Sequence, residues 1–318
     1  MYRRIALVSM LIAATADLAE SQITRPQIAR PQMTAIVAPD VPLLIGFNSG
    51  DVVQIDDMNG AAAQLLDSGF WQGRMSAAPF VGKGINGRLI ALVPGEYPKG
   101  QILLPNPGWE MLDSRTGPLG SFIIDPSSSV LYGANCQSAI VVRYDMANRV
   151  SQFIGSKGTG VGQLECPEKV AVDAQGRMYV SDLHRVVKMN DITGNGWTAF
   201  GSHGSGEGQF NYIRGIAVDR KGRIYISDTN NRRIVRMDDI SGRGWTSYST
   251  GQYDPEGVAV DSFDRIYVAL PVANRILRID DISGAGLKTF TIPRDAGYAG
   301  PKVIVPMKRT TGGASVIR

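Results

Sequence analysis

The sequence predicts an all-β fold: a six-bladed β-propeller of four-stranded antiparallel blades, closed by joining its N- and C-terminal strands. The first observation is a repeat, because VAVDAQGRMYVSD, IAVDRKGRIYISD and VAVDSFDRIYVAL begin at Val170, Ile216 and Val258. The aspartates they share recur after 46 and then 42 residues. The second observation is that Gly/Asp turns separate short apolar runs without helical periodicity. A long period filled with such runs is typical of repeated sheets.

The clearest repeat contains four candidate strands. They are Gly215–Val218, Arg223–Ser227, Arg233–Asp238 and Trp245–Tyr248. Their apolar residues alternate or run in fours and are often β-branched or aromatic, as half-buried strands require. Between the first two strands, the residues DRKG predict a tight turn in which Gly222 adopts a positive φ. Four antiparallel strands in roughly 45 residues form the unit of a propeller blade.

The same spacing of candidate strands extends through residues 39–318, which we assign to the propeller. Its six blades are centred on third strands near Val53, Ile102, Val142, Val187, Val235 and Leu277. The first blade has no obvious innermost strand, and Lys302–Pro306 near the C-terminus is a candidate for it. A shared blade removes exposed sheet edges. The competing candidate is Thr34–Val37.

The stretch GSGEGQFNYIRGIAVDRKGRIYISDTNNRRIVRM, residues 204–237, resembles an NHL repeat, with its G-x-G-x-G-Q-F opening and D-x-x-N-x-R-I turn. Residues 160–173 and 253–261 resemble the same repeat, and the latter segment is followed by Asn274, Arg275 and Ile276. The resemblance implies a propeller, a fold that this family uses both for binding scaffolds and for several unrelated enzymes. For the turn itself we expect a structural role, because Asp and Asn side chains stabilise tight turns.

The N-terminal residues predict export. Residues 1–16 combine two arginines, a short apolar run and an A-x-A motif, which is typical of a cleaved signal peptide, with an uncleaved anchor as the alternative. Residues 17–38 repeat R-P-Q and predict an extended linker. We therefore expect a periplasmic or secreted protein with no stable membrane insertion after cleavage.

The charge of the chain disfavours a nucleic-acid partner. The formal net charge is +4, and Arg3 and Arg4 of the predicted signal peptide supply two of these charges. The remaining protein is close to neutral, which is not typical of nucleic-acid binding.

Cys136 and Cys166 are the two cysteines of the chain, and they predict a disulfide. Cys136 lies between the second and third predicted strands of blade three, and Cys166 leads into the first strand of blade four. These loops emerge on the same face of neighbouring blades. Two separate buried thiols are the alternative, and export favours the disulfide.

Candidate site residues lie in the loops that lead into the first strands. Glu168, Arg214 and Glu256 each stand two residues before the apolar runs that begin at Val170, Ile216 and Val258, and we expect them to form a rim at the mouth of the central channel. The rim either binds a partner or orders itself through salt bridges. His184 and His203 lie in loops on the same face and are candidates for a metal site.

These features favour a non-catalytic binding or scaffold module without a cofactor, whose partner is a protein or a carbohydrate. The alternative is a metal-dependent lyase or lactonase-type hydrolase that acts at the channel mouth with one divalent cation, such as Ca or Zn. An enzyme predicts polar side chains that converge from three or more blades. A scaffold predicts an apolar or aromatic patch instead.

Overall fold

The computed structural model describes residues 43–47, 52–55, 58, 64–67, 80–83, 89–93, 101–104, 108–111, 121–125, 130–145, 147–292 and 300–306. The predicted signal peptide (1–16), the predicted linker (17–38) and the alternative strand Thr34–Val37 lie outside these residues. Within the described part, every regular element is a β-strand. No helix among these residues has the length and apolar character needed to span a membrane.

Eleven strands between residues 43 and 154 form most of the first three sheets. Sheet 1 contains β1 (Leu43–Phe47), β2 (Val52–Ile55) and β3 (Gln64–Asp67). Sheet 2 contains β4 (Phe80–Lys83), β5 (Leu89–Val93), β6 (Gln101–Leu104) and β7 (Gly108–Met111). Sheet 3 contains β8 (Ser121–Asp125), β9 (Val130–Asn135), β10 (Ile140–Asp145) and β11 (Val150–Ile154).

The remaining sheets follow the repeats. Sheet 4 contains β12 (Pro167–Val172), β13 (Met178–Asp182), β14 (Arg185–Met189) and β15 (Thr198–Phe200). A short parallel ladder of β16 (Ser202–His203) and β17 (Gln209–Phe210) comes next. Sheet 5 contains β18 (Ile213–Val218), β19 (Ile224–Asp228), β20 (Arg233–Met237) and β21 (Thr246–Ser249). Sheet 6 contains β22 (Val258–Val260), β23 (Ile266–Leu270), β24 (Arg275–Ile279) and β25 (Lys288–Thr291).

The C-terminal strand β26 (Pro301–Pro306) belongs to sheet 1, where it pairs antiparallel with β1. The described residues thus form six four-stranded antiparallel sheets, and the order in sheet 1 is β26-β1-β2-β3. The first strands of the sheets are neighbours: β4 lies beside β8, β8 beside β12, β12 beside β18, β18 beside β22, β22 beside β26, and β26 beside β4. All six predicted third-strand centres lie within third strands.

The apolar core lies between neighbouring sheets. Between sheets 4 and 5, Tyr179 and Val186 pack with Ile216, Val235 and Met237, and all five are buried. Equivalent clusters join sheets 3 and 4, sheets 5 and 6, and sheets 6 and 1. Every residue of β19 is buried, because this strand has a sheet on each side. Stacking of sheets therefore explains the continuous apolar runs in the second strands.

The aspartate shared by the repeats organises the turn between the first two strands. Asp219 accepts hydrogen bonds from Arg223 Nε (2.5 Å), Tyr225 Oη (3.1 Å) and the backbone N–H groups of Lys221 and Arg223 (2.8 and 3.0 Å). Gly222 has a φ of +80°, as the DRKG pattern predicts. Asp173 and Asp261 have the same set of partners in sheets 4 and 6.

Candidate functional site

Three first strands carry a β-bulge at their leading end. In sheet 4, Pro167 pairs with Asp182 and Lys169 pairs with Ser181, so Glu168 is the extra residue. The corresponding extra residues are Arg214 in β18 and Lys302 in β26. A bulge changes the direction in which a side chain projects and is frequent beside functional sites. The sequence placed Glu168 and Arg214 ahead of their strands, whereas the ladders continue past the bulges and include both residues.

Glu256 occupies the equivalent position in sheet 6. It precedes Asp261 by the same number of residues as Glu168 precedes Asp173. Its backbone N–H donates to the carbonyl of Ala269 in the second strand, at 3.0 Å. Consecutive sheets 4, 5, 6 and 1 therefore present Glu, Arg, Glu and Lys at one structural position, and the charges alternate in sign.

These side chains form a continuous chain of contacts. Arg214 Nη1 lies 2.5 Å from Glu256 Oε1, and Lys302 Nζ lies 3.7 Å from the other oxygen of Glu256. Tyr212 Oη donates to Glu168 at 3.0 Å, while the Arg214 guanidinium lies 4.9 Å from the centre of the Tyr212 ring. The three residues that the sequence selected are thus brought together, and Lys302 and Tyr212 are additions. Lys302 corresponds to Glu168 when β26 is aligned with the first strands of the other sheets.

Lys169 follows the bulge in sheet 4 and was not selected from the sequence. Burial lowers the pKa of Lys169 to about 8. Glu256 and Glu168 oppose this effect, whereas Lys302 and Arg214 reinforce it. Its side chain is partly exposed, and its ammonium has no hydrogen bond or ion pair within the part of the chain that the structure describes. We call Glu168, Lys169, Arg214, Glu256 and Lys302 the charged cluster.

The position of Lys169 is occupied by glycine in the next two sheets. A Cβ atom at Gly215 would lie 2.3 Å from the carbonyl oxygen of Glu256, and one at Gly257 would lie 2.3 Å from that of Lys302. Glycine there allows neighbouring first strands to approach closely. The sequences EKVAVD, RGIAVD and EGVAVD carry this signal, since lysine replaces glycine in one repeat only.

The backbone of Tyr212 is strained where it supports the charged cluster. Its φ is +64°, and its N–H donates to His184 Nδ1 at 3.2 Å. Burial, together with the Glu168 carboxylate, raises the pKa of Tyr212. The phenol therefore stays protonated at neutral pH and donates to Glu168.

The two histidines lie side by side, with ring centroids 4.5 Å apart and an edge-on arrangement. Burial lowers the pKa of His184, and His203 adds to this effect. Because His184 Nδ1 accepts the Tyr212 N–H, the neutral ring carries its proton on Nε2. This protonation pattern does not favour His184 as a zinc ligand.

The structure contains the Cys136–Cys166 disulfide, with Cα atoms 4.0 Å apart. The disulfide lies next to the charged cluster, because Cys166 Sγ is 3.8 Å from Glu168 Oε1. Among the described residues, Cys136, Cys166 and Glu168 form the one group of three potential metal ligands. Since its two sulfurs are bonded to each other, they are not available as thiolate ligands.

The NHL-like turns hold the loops that lead into β12 and β18. Asp228 accepts hydrogen bonds from Arg233 Nε and Asn231 Nδ2, both at 2.8 Å, and from the Asn211 N–H at 2.7 Å. The guanidinium of Arg233 then donates to the carbonyls of Ser205, Gly206 and Gln209. Arg185 makes the equivalent bonds to residues 158, 159 and 163. These contacts agree with the structural role that the sequence predicts for Asp228, Asn231 and Arg233.

Comparison with known proteins agrees with this architecture. The family model described as NHL repeat matches residues 210–237. A crystal structure of a nidogen/laminin complex contains a chain with 13% sequence identity and a TM-score of 0.64, and the match covers 83% of this chain and 97% of that chain. For selenomethionine-substituted virginiamycin B lyase from Staphylococcus aureus, the identity is 14% and the TM-score 0.52, with 71% and 73% of the two chains covered. No curated protein matches in sequence.

At these identities the structural likeness establishes the fold alone. The matched repeat, the strand-only architecture and the stacked four-stranded sheets agree with each other. The chain therefore carries an NHL repeat and has a β-propeller fold.

Proposed function

We propose that the protein is an exported six-bladed propeller that binds a partner through the charged cluster, at one end of its central channel. In this proposal residues 1–16 are a cleaved signal peptide, 17–38 are a linker and 39–318 are the propeller. The adjacency of all six first strands supports a closed ring, and so does the pairing of β26 with β1. The disulfide is compatible with a periplasmic or extracellular location.

The observation that carries the proposal is the convergence of charged side chains from four consecutive sheets. Bulges in three of these sheets bring the side chains to one end of the first strands. Side chains with charges of both signs, contributed by separate elements, are suited to orient a polar ligand. A structural neighbour from a nidogen/laminin complex supports a protein partner, and a carbohydrate is the other candidate.

The alternative function is a metal-dependent lyase or hydrolase. It is favoured by the same convergence, which is the feature expected of an enzyme from the sequence, and by the structural likeness to a lyase. The donor set fits a divalent cation poorly, however, because Lys169, Arg214 and Lys302 surround the two carboxylates. A cation at this position would experience the repulsion of three positive charges. The charged cluster therefore fits partner binding better than metal chemistry.

The test is capture of a partner from the extracytoplasmic fraction of source cells, with a glycan array in parallel. The protein is compared with an Arg214→Gln/Lys302→Gln variant, and Lys221→Gln serves as a control because Lys221 pairs with Asp264 at a turn between first and second strands. We expect one ligand to be retained by the protein and by the control but lost by the double variant. Equal retention by all three would refute binding at the charged cluster.

The same purified protein distinguishes the alternative. Metal analysis after preparation without chelator should find less than one equivalent of any divalent cation. A stoichiometric metal that the Arg214→Gln/Lys302→Gln variant retains would favour the enzyme.

A further inference from the structure

We propose that Lys169, Arg214 and Lys302 bind a ligand that carries a single carboxylate group, with Lys169 as the group that contacts the carboxylate directly. This inference rests on the proposed binding function and specifies its ligand. It concerns a residue that interrupts the repeat and lies outside every NHL turn.

The first argument is that Lys169 differs from the other charged residues of the cluster in its contacts. Glu256 is held between Arg214 and Lys302, and Glu168 accepts the Tyr212 hydroxyl. The Lys169 ammonium lacks such a partner among the described residues. Lys169 directly follows the bulge residue Glu168, and its charge interacts with those of Glu168, Arg214, Glu256 and Lys302. An ammonium without a partner can bind an anion. Little reorganisation is needed, because the neighbouring charged side chains already have their own contacts before the ligand binds.

The second argument is the sum of charge. Among the described residues, the three cations and two carboxylates of the charged cluster sum to a formal charge of +1 near neutral pH. A monoanion neutralises this charge. A phosphate dianion would leave an excess negative charge beside Glu168 and Glu256, and these carboxylates would repel it. The balance therefore favours a monoanion over a dianion, and a carboxylate is the monoanion that a peptide C-terminus or a sugar acid supplies.

The third argument is the replacement of glycine by lysine. Sheets 5 and 6 require glycine at this position for close approach of the first strands. In sheet 4 the same position carries a long basic side chain, whose charge Lys302 and Arg214 repel. Placing a cation in partly buried surroundings opposes folding unless a ligand or a nearby carboxylate compensates. A carboxylate ligand supplies the compensation that the described residues provide only in part.

Proton binding links the site to pH. The charged groups that interact with Lys169 are Glu168 on its own strand, Arg214 on β18, Glu256 before β22 and Lys302 on β26. Because burial lowers the pKa of Lys169 to about 8, the ammonium is lost as the pH rises through that value. A bound carboxylate favours the charged ammonium. Affinity should therefore be highest below pH 8 and decrease above it.

The experiment is calorimetric or NMR titration of the full chain with small probes. Glucuronate and its neutral isostere glucuronamide test a sugar acid, while N-acetylalanine and N-acetylalaninamide test a peptide carboxylate. Inorganic phosphate, titrated at about pH 7.5 where most of it carries two negative charges, is the dianion probe. We expect at least one carboxylate to bind about tenfold more tightly than its amide and than phosphate. Binding of glucuronate would identify a sugar acid as the source of the carboxylate, and binding of N-acetylalanine would identify a peptide C-terminus.

Three variants make the test specific to Lys169. We expect Lys169→Met to weaken carboxylate binding about tenfold, whereas Lys169→Arg stays within about threefold at pH 7 and loses the decrease above pH 8. Lys221→Gln should bind like the unaltered protein. Melting curves of each variant show that it is folded. An amide or phosphate that binds as well as the carboxylates overturns the inference, as does unchanged binding by Lys169→Met or an absence of carboxylate binding. Partner capture that is sensitive to Arg214→Gln/Lys302→Gln would still support the proposed function in those cases.

Discussion

Replacing Lys169 by methionine should stabilise the protein, because partial burial of the charged Lys169 ammonium lowers the free energy of unfolding. The difference between the ordinary pKa of 10.5 and about 8 corresponds to about 3 kcal/mol, at roughly 1.36 kcal/mol per pH unit. Solvent reaches the partly exposed side chain and screens its charge. We therefore expect Lys169→Met to increase the free energy of unfolding by about 1–2 kcal/mol at pH 7.

The pH dependence of this gain follows from proton linkage. Between about pH 8 and 10.5, the unfolded chain holds a proton at Lys169 that the folded protein has lost. The stability contributed by this site in the unaltered protein therefore rises with pH across that window. The advantage of Lys169→Met should be complete below pH 8 and should disappear by pH 10.5.

The assay is urea unfolding of both proteins at a series of pH values, followed by tryptophan fluorescence. Lys188→Met is the matched control, because Lys188 lies in the same sheet and is also partly buried. Its effect should stay within about 0.5 kcal/mol at every pH. The argument is refuted if Lys169→Met destabilises the protein, or if its effect is constant from pH 7 to pH 10.5.

Three further predictions concern the framework. Changing Cys136 and Cys166 to serine opens a loop of 30 residues and should cost about 3 kcal/mol, so an unchanged unfolding midpoint would contradict a stabilising disulfide. Gly222→Val places a β-branched residue at φ +80° and should cost about 1–3 kcal/mol in thermal melts, whereas an unaltered melting temperature would argue against strain in that turn. Deleting residues 300–318 removes β26, exposes an edge of β1 and should cause aggregation, while deleting Asp17–Thr24 should not. Equal solubility of the two deletions would refute closure by the C-terminal strand.

Much of the fold could be predicted from the sequence, because the turns and strands of each repeat depend on residues that are close together in the chain. Asp219 and Gly222 specify a turn whose hydrogen bonds lie within a few residues. Alternating and continuous apolar runs specify strands that are covered on both faces. Extending this phase from the clear repeats located all six third strands, including Val53 and Ile102 in weakly matching segments.

The candidate site could be predicted only in part. Glu168, Arg214 and Glu256 recur at one position of the repeat, so their common location was visible in the sequence. Lys302 was not selected, although Lys302–Pro306 was a candidate first strand, because the bulge that makes Lys302 equivalent to Glu168 is visible only in the pairing of β26 with β1. Lys169 was overlooked for another reason: its significance depends on the charges that neighbouring sheets bring around it.

The sequence by itself determined the strands, the turns and the repeat, since these depend on residues close together in the chain. It also identified the two cysteines and the three rim residues as neighbours on one face. The tertiary structure decided which charges meet, through bulges that redirect Glu168, Arg214 and Lys302 and through the stacking of separate sheets. It also determined the pKa of Lys169, because burial and electrostatic interactions depend on distances in space, and the order of residues along the chain does not specify those distances.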